Sequence, residues 1–194
     1  MLLETWKRAH NLQVVTTTEG AFAGRLEDFQ FDLETHRIYG WRLKASGMFA
    51  RAGGVRAEAM QLIGRDVALL DSESSIEWGS RRADAVAGRA WASTYKGTQA
   101  ISRRGRALGA VQDFVIDGRG GSVTGLVLHG GLLLPLDGRV QTGPSAIIVE
   151  ADDVAVELPE DEADEPTNWW VRVRDAVGGR PRPVRGGEDP GEAS

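Results

Sequence analysis

The sequence predicts an all-β protein made of two small β-barrels in tandem, followed by a mostly disordered acidic tail. A segment of the first half recurs 85 residues later, and β-branched or alternating apolar runs are separated by turns rich in glycine and aspartate. The final residues are acidic and then rich in proline, glycine and arginine, a composition typical of disorder. These patterns predict a first barrel over 1–78, a linker over 79–90, a second barrel over 91–158 and a tail over 159–194.

The repeat is clearest where GRLEDFQFD at 24–32 aligns with GAVQDFVID at 109–117. Further along, an offset of 87 aligns GRDVALL at 64–70 with ADDVAVE at 151–157, and a two-residue insertion in a loop would explain the slip. We interpret eight matched positions as structural: Gly24, Asp28, Asp32 and Gly40 in the first copy, and Gly109, Asp113, Asp117 and Gly125 in the second.

Local patterns predict a bulge and the faces of the next strands. In both copies the apolar residues change parity beside Asp28 and Asp113, and a β-bulge there would bend the strand around a small barrel. The same offset of 85 aligns Trp6 with Trp91. The following strand alternates in both copies, which predicts a shared face for two sets of side chains: Tyr39, Trp41 and Leu43, and Thr124, Leu126 and Leu128.

Helix is predicted to be scarce. Residues 76–91 are the best candidate for one or two helical turns, which Gly79 and Gly88 would limit. An aspartate at the end of a strand accepts hydrogen bonds from the backbone amides that follow it. We therefore interpret the repeated aspartates as turn and bulge residues rather than as a paired carboxylate site.

The sequence contains no pattern of residues typical of a catalytic or metal-binding site. The chain has no cysteine, which excludes thiolate nucleophiles and cysteine metal sites. The three histidines, His10, His36 and His129, are far apart and have no partner at metal-ligand spacing. The glycine clusters at 118–121 and 130–131 lack the strand-to-helix context of a phosphate-binding loop. We therefore predict no catalytic residue, no metal site and no cofactor.

Charge is unevenly distributed along the chain. It has 23 basic and 28 acidic side chains, and residues 157–194 hold five of the basic and ten of the acidic ones. A duplex-binding protein usually has a basic domain, so nucleic acid is not predicted as a direct ligand. Neither an export signal nor a membrane-spanning apolar stretch is recognised, so a cytoplasmic protein is expected. Peripheral membrane contact and oligomerisation stay open.

Two segments are candidates for contact with a partner. Three arginines, Arg103, Arg104 and Arg106, surround a predicted hairpin tip, where they would meet phosphate, an acidic partner, the acidic tail or only solvent. In the tail, WWVRVRDAV alternates apolar and basic side chains, as an added strand would, or else begins a helix. Tryptophan commonly anchors interfaces, so these residues either dock on a partner or pack back on the barrel: Trp169, Trp170, Arg172 and Arg174.

The order of these motifs resembles the PRC-barrel family. A glycine, a strand bounded by two aspartates, a short turn and a glycine-led strand stand twice, at 24–43 and at 109–128. The closing strand of the family is matched by 66–70 and by 153–158. The resemblance covers about residues 10–71 and 95–158, and the second copy is closer to the pattern.

The resemblance implies a protein-docking module rather than an enzyme. The family includes the cytoplasmic domain of the photosynthetic reaction-centre H subunit and the C-terminal domain of the ribosome-maturation factor. We therefore predict a non-enzymatic scaffold for an unidentified protein partner; the alternatives are a ribosome- or RNA-associated assembly factor and a peripheral membrane partner of an electron-transfer complex. The first copy has Gln30 and Arg42 where apolar residues are usual. Its altered faces, together with the tail, are expected to carry any function private to this chain.

Overall fold

The computed structural model describes residues 3–45, 51–79 and 88–157, and the predicted all-β class is confirmed. In the first half the elements are β1 (Leu3–Thr5), α1 (Trp6–Ala9), β2 (Gln13–Thr16), β3 (Phe22–Asp32), β4 (Ile38–Lys44), β5 (Ala52–Arg56), β6 (Met60–Ile63), β7 (Val67–Leu70) and β8 (Ile76–Trp78). In the second half they are β9 (Arg89–Trp91), α2 (Ala92–Tyr95), β10 (Gln99–Ser102), β11 (Ala107–Asp117), β12 (Val123–Leu128), β13 (Leu132–Pro135), β14 (Val140–Thr142), β15 (Ala146–Val149) and β16 (Val156–Glu157). Short 3-10 turns lie at Ala57–Ala59, Glu73–Ser75 and Asp152–Val154.

The strands form two sheets with the same topology. The order in the first sheet is β6-β7-β2-β3-β4-β5-β8, and in the second it is β14-β15-β10-β11-β12-β13-β16. The pairs β2 with β7 and β10 with β15 are parallel, and the other neighbours in these two paths are antiparallel. Each sheet therefore builds one barrel-like unit from the same arrangement of strands.

The two units exchange their first strands. β1 pairs with β11 of the second sheet, whereas β9 pairs with β3 of the first. Each short helix follows its strand, so α1 contacts β11 and α2 contacts β3. The hydrogen bonding therefore crosses the predicted boundaries: β1, assigned to the first barrel, joins the second sheet, and β9, predicted as linker and start of the second barrel, joins the first. A pattern of apolar residues does not specify which sheet a short strand joins, and this is why the exchange was missed.

A shared aromatic core lies between the two sheets. Phe29 and Phe31 on β3 and Phe114 on β11 are fully buried. The ring centroid of Phe114 lies 5.4 Å from that of Phe29 and 5.8 Å from that of Phe31. Trp6 of α1 meets the Phe29 ring edge to face at 5.0 Å, and Trp41 lies 5.5 Å from the same ring. Burial of this aromatic surface stabilises the contact between the two units.

The long strands β3 and β11 each contain a bulge at the predicted position. The pairing of β3 with β4 shifts register between Leu26 and Asp28. The pairing of β11 with β12 shifts between Val111 and Asp113. The extra residue at each shift lets the following part of the strand turn toward the other unit.

A second bulge corrects the predicted faces of β4 and β12. The register shifts again farther along β3 and β11, and Tyr39 and Thr124 are the unpaired residues opposite the shift. Tyr39 is 41% exposed, whereas Ile38 and Trp41 are buried. The expectation that Tyr39 shares a face with Trp41, and Thr124 with its strand neighbours, was wrong because one extra residue inverts the alternation.

The two copies also correspond differently from the sequence alignment at their ends. α1 begins at Trp6 and α2 at Ala92, so Trp6 corresponds to Ala92 rather than to Trp91. β7 corresponds to β15, because each pairs in parallel with the strand that precedes the long strand of its sheet. The alignment of 64–70 with 151–157 was therefore wrong, and so was the interpretation of 153–158 as the same element as 66–70. The residues at 156–157 form β16, which instead pairs with β13.

The range 76–91, predicted to hold one or two helical turns, is described only at its two ends. β8 and β9 occupy the two ends of this range, and residues 80–87 lie outside the described residues. Among the described residues, two short α-helices follow the exchanged strands, at Trp6–Ala9 and Ala92–Tyr95. The predicted tail over 159–194 also lies outside the described residues.

Gly24 is required by its backbone conformation and by a close contact. Its φ is +142°, and a Cβ there would lie 2.6 Å from the carbonyl oxygen of Lys44; Gly109 in β11 has the same constraint, with φ +132°. We expect Gly24→Ala to lower the free energy of unfolding by about 1–3 kcal/mol, because the strained conformation and the contact must both be accommodated. Urea denaturation measures the change. The control is Gly138→Ala, where a Cβ would meet nothing within 4 Å; equal losses in the two variants would contradict the prediction.

Candidate functional site

The aspartates beside the first bulge hold the exchanged helices. The backbone N–H of Lys7 in α1 donates to Asp113, at 3.1 Å from each carboxylate oxygen. The backbone N–H and the hydroxyl of Ser93 in α2 donate to Asp28. Asp28 and Asp113 are 2% and 6% exposed. Each carboxylate therefore satisfies donors in the first turn of the helix that the other half supplies.

The aspartates that end the long strands close the turns after them. Asp32 accepts the backbone N–H groups of Glu34 and Thr35. Asp117 accepts the backbone N–H of Arg119. These are local Asx-type hydrogen bonds, which fix the direction of each turn.

Both turns contact the opposite unit. The hydroxyl of Thr142 on β14 donates to the carbonyl oxygen of Leu33, and the N–H of Ile63 on β6 donates to the carbonyl oxygen of Gly118. His36 lies 3.1 Å from the Thr142 hydroxyl through its Nε2, and burial lowers the pKa of this histidine. The predicted turn position of His36 is therefore also a contact between the two halves.

The pKa values of Asp113 and Asp32 move in opposite directions. Burial raises the pKa of Asp113, whereas the hydrogen bond from the Thr35 N–H lowers the pKa of Asp32. A raised pKa means that the contribution of Asp113 to stability is present below its unfolded-state value of 3.8 and is lost as the pH rises through the folded value. The contribution of Asp32 is present above 3.8 and is lost as the pH falls through its folded value.

We therefore expect Asp113→Asn and Asp32→Asn to show opposite pH dependence. Relative to wild type, Asp113→Asn should gain stability as the pH rises from about 4 to 7, because it removes a buried charge, and Asp32→Asn should lose it. Urea denaturation of wild type and both variants at several pH values measures the differences. Parallel slopes for the two variants would contradict the assignment.

An open cleft of about 450 Å³ lies on the face of the first sheet that carries Gln30, near the junction of β9 with β3. Its shape follows from the pairing register, because Trp91, Gln30, Gly40 and Arg56 lie opposite one another on four adjacent strands. Gly40 has no side chain, which leaves a gap between Gln30 and Arg56. The lining comprises Gln30, Tyr39, Gly40, Trp41, Gly54, Val55, Arg56, Glu58, Arg89 and Trp91.

Two residues of the lining carry buried N–H donors that find no acceptor among the described residues. They are the side-chain Nε2 of Gln30, a residue that is 7% exposed, and the indole Nε1 of Trp91. The indole Nε1 of Trp41 also lacks a partner in the part of the chain that the structure describes, but its ring packs on Phe29 in the core. A buried donor without a partner costs about 1–3 kcal/mol, and an indole nitrogen can only donate. Gln30 is therefore a polar side chain held at a cost where the second sheet has the apolar Val115.

Three charged side chains line the cleft. They are the guanidinium groups of Arg56 and Arg89 and the carboxylate of Glu58. Asp32 lies opposite Arg89 across β3 and β9, so the two positive charges have two carboxylates near them. The Cζ of Arg89 lies 3.5 Å from the ring centroid of Tyr39, a stacked arrangement that holds the guanidinium in place.

Arg42 lies between Trp91 of the cleft and Asp28, the carboxylate that holds α2. Its Cζ lies 4.1 Å from the ring centroid of Trp91, and its Nη1 lies 3.9 Å from Oδ2 of Asp28. The carboxylate that holds α2 therefore also positions the arginine that covers Trp91. Arg42 therefore contacts both Trp91 of the cleft and the carboxylate that holds α2.

The corresponding row of the second sheet is almost entirely apolar. It consists of Thr5, Val115, Gly125 and Pro135, which occupy the same cross-strand positions. Val115 is fully buried, and the Cδ1 of Leu133 lies 3.2 Å from where a Cβ on Gly125 would stand. The same backbone geometry therefore carries a polar gap in the first sheet and packed apolar side chains in the second.

The predicted arginine cluster lies away from this cleft. Arg103, Arg104 and Arg106 are exposed in the turn between β10 and β11, and Arg106 lies 3.7 Å from Asp152. None of the three lines the cleft. The predicted tail residues lie outside the described residues: Trp169, Trp170, Arg172 and Arg174.

Sequence reasoning identified only part of the cleft. It singled out Gln30 and Arg42 as departures from an apolar pattern, and Gln30 lines the cleft while Arg42 covers Trp91. It missed Arg56 and Arg89, and it treated Trp91 only as the repeat partner of Trp6. The available signal was a glutamine between two phenylalanines on a strand, at a position where the other copy has valine.

The described residues contain neither a metal-ligand cluster nor a membrane-spanning helix. No group of three or more histidines, aspartates or glutamates there is arranged to hold a metal ion. None of the helices in the same part of the chain has the length and apolar character needed to cross a bilayer.

Comparison with known families matches residues 91–156 to the PRC-barrel domain. No curated protein matches the chain. The matched range runs from the end of β9 to the start of β16, so it includes the second sheet except for the exchanged β1. The family predicted from the motifs is confirmed there: residues 91–156 are a member of the PRC-barrel domain family.

Proposed function

We propose that the protein is a non-enzymatic protein-binding module that docks a segment of its partner in the cleft of the first sheet. The observation that carries this proposal is the row Trp91, Gln30, Gly40 and Arg56, which combines an aromatic ring, an amide, a gap and a cation along an open cleft. Tryptophan, tyrosine and arginine are the residues most enriched at the energetic centres of interfaces. A PRC-barrel domain in the second half supports an interaction role rather than catalysis.

The first half is proposed to be a second PRC-barrel unit that has become specialised for binding. The identical strand order of the two sheets supports this proposal. So does the contrast between the apolar row of the second sheet and the polar row of the first. The second unit would then serve as the scaffold that fixes β9, and with it Trp91, beside Gln30.

The test is affinity capture of partners from the source cell with cleft and control variants. The cleft variant combines Gln30→Val with Arg56→Ala; valine fits the backbone because Val115 occupies the same position in the second sheet. The control is Arg103→Ala, which removes one exposed positive charge from the turn between β10 and β11. We expect a stoichiometric partner with wild type and with the control, and loss of that partner with the cleft variant.

Folding of each variant is checked by its urea midpoint. If a folded cleft variant captures the same partner in the same amount as wild type, docking in the cleft is wrong. If the control loses the partner as well, the interaction is carried by charge in general and not by this site. If wild type captures no stoichiometric partner, the binding-module proposal itself fails.

A further inference from the structure

We infer that the chain's own tail covers the outer face of the second sheet, through Trp169, Val171 and Val173. The outer face is the one that points away from the shared aromatic core. In the first sheet the equivalent face carries the open cleft. The inference goes beyond the proposed function and does not depend on docking in that cleft.

Three buried apolar side chains of the described residues lie outside the contiguous core of the molecule. They are Leu3 on β1, Val115 on β11 and Leu133 on β13. Val115 stands between Phe114 and Ile116, both of which belong to the core. Successive side chains of a strand point to opposite faces, so Val115 points outward.

Leu3 and Leu133 lie on the same outer face as Val115. Thr5 is opposite Val115, and Leu3 is two residues before Thr5 on β1, so Leu3 and Val115 share a face. A Cβ on Gly125 would lie 3.2 Å from the Cδ1 of Leu133 and 3.6 Å from the Cβ of Val115. Three strands of the sheet therefore contribute one apolar side chain each to this face.

The burial of these side chains is too complete for a face that meets water. Leu3, Val115 and Leu133 are 4%, 0% and 1% exposed, and Gly125 and Pro135 beside them are buried as well. An antiparallel sheet that packs one face on a core commonly leaves its other face solvated. A second layer therefore lies over the outer face.

The described elements next to this face do not supply the layer. The most extensive contacts of β11 and β13 are made by the strands beside them and by α1. Those strands lie in the same sheet, and the buried side chains of α1, Trp6 and Ala9, belong to the core. The cover therefore comes from residues outside the described ranges.

The tail leaves the second sheet at the edge of this face. β16 pairs with β13, and Glu157, the last described residue, lies opposite Leu132. The eleven residues 158–168 reach up to about 36 Å when extended, whereas four adjacent strands span about 14 Å. Residues 46–50 and 80–87, which also lie outside the described ranges, connect strands of the first sheet. The tail is therefore the segment placed to reach the whole face.

The side chains of the tail suit an apolar face on one side. Two sets alternate along the segment: Trp169, Val171 and Val173, and Trp170, Arg172 and Arg174. An extended segment would lay the first, apolar set on Val115 and Leu133 and leave the two arginines in water. Tryptophan buries a large apolar surface and commonly anchors such a contact.

The same segment would not suit the first sheet. Gln30 and Arg56 stand there at the positions that Val115 and Pro135 occupy in the second. An apolar layer on Gln30 and Arg56 would bury polar groups without giving them partners, which is costly. The tail therefore closes the second face and leaves the first open to a partner.

The test measures the reactivity of a single introduced thiol in the full-length protein, which has no cysteine of its own. Val115→Cys places the thiol on the outer face. Val111→Cys is the matched position, because Val111 is a buried valine of the same strand that belongs to the core. The rate of reaction with dithiobis(nitrobenzoate) under native conditions reports how often the reagent reaches each thiol.

Each thiol is combined with a tail variant and with a control. The tail variant replaces the apolar set by Trp169→Ser, Val171→Ser and Val173→Ser, and the control is Arg172→Ser with Arg174→Ser. We expect the thiol of Val115→Cys to react at least about tenfold faster with the tail variant, because the cover is lost, and that of Val111→Cys to be unchanged. The control should change neither rate, and the urea midpoint checks the folding of each variant.

Four results would overturn the inference. Fast reaction of Val115→Cys with the natural tail would show that the face is open. Slow reaction that persists in the tail variant would show that another segment covers it. Equal acceleration at Val115→Cys and Val111→Cys would mean that the tail stabilises the whole fold. Equal acceleration by the tail variant and the arginine control would assign the contact to charge.

A synthetic peptide of residues 165–177 gives an independent measurement. Added to the tail variant, it should slow the reaction of Val115→Cys in proportion to its concentration, since a segment that binds the folded state protects it by mass action. The same peptide with Trp169→Ser is the control and should protect far less. Equal protection by the two peptides, or protection by neither, would also overturn the inference.

Discussion

Replacing Phe114 with alanine is expected to lower the free energy of unfolding of the whole molecule by about 3–5 kcal/mol, not that of the second half alone. Phe114 is fully buried, and its ring contacts Phe29 and Phe31 of the first unit. Truncation leaves a cavity in the core that the two sheets share. Urea denaturation gives the global loss, and hydrogen exchange resolved by peptide gives the loss in β3 and in β11 separately.

The decisive readout for Phe114→Ala is whether protection falls by the same amount in both strands. Phe22→Ala is the control, because Phe22 lies on β3 but is 69% exposed, and we expect a change of less than about 0.5 kcal/mol. Loss of protection confined to β11 would show that the units unfold independently. The shared core would then not be the source of their cooperation.

Deleting residues 1–9 is expected to lower the free energy of unfolding by at least as much as Phe114→Ala, because it removes β1 and α1 from the second sheet. The deletion takes away the β1 partner of Val115 to Asp117, the N–H of Lys7 that donates to buried Asp113, and the buried ring of Trp6. Loss of a buried tryptophan alone costs about 3–5 kcal/mol. We therefore expect the amides of the C-terminal half of β11 to lose hydrogen-exchange protection before those of β7 and β2.

A synthetic peptide of residues 1–9, added to the truncated protein, should restore that protection in proportion to its concentration. Binding of the folded state by a missing segment stabilises it by mass action. The same peptide with Trp6→Ala is the control and should restore far less, since Trp6 supplies the contact with Phe29 at 5.0 Å. Protection of β11 that survives the deletion would show that the exchanged strand is dispensable.

The first bulge of each long strand was predictable because the pattern of apolar residues changes at that point in the sequence. A change of apolar parity beside Asp28 and Asp113 indicates an extra residue, and the structure has one at each place. The second bulge was not predictable from parity, because Tyr39 is amphipathic and fits either a buried or an exposed position. Ile38 is buried and occupies the core-facing position, so Tyr39 is exposed.

The strand exchange and the cleft depend on contacts between distant segments. β1 and β9 have three residues each, too few to carry a pattern that specifies a sheet. Their destination is fixed by the hydrogen bonds of Asp113 and Asp28 and by the shared aromatic core. Gln30 was recognisable as unusual from the sequence, but its neighbours across the strands become known only when β9 is placed beside β3.

The covalent connection between the exchanged halves has a consequence for stoichiometry. Two separate halves would have to meet by diffusion, whereas a tether gives each an effective concentration for the other in the millimolar range, on the order of that for short linkers. Pairing is then independent of how much protein the cell makes. A pair of identical chains would also carry the same face twice, so any change would appear on both. In one chain the two positions can differ, as Gln30 and Val115 do, so within the described residues the polar row belongs to the first sheet alone.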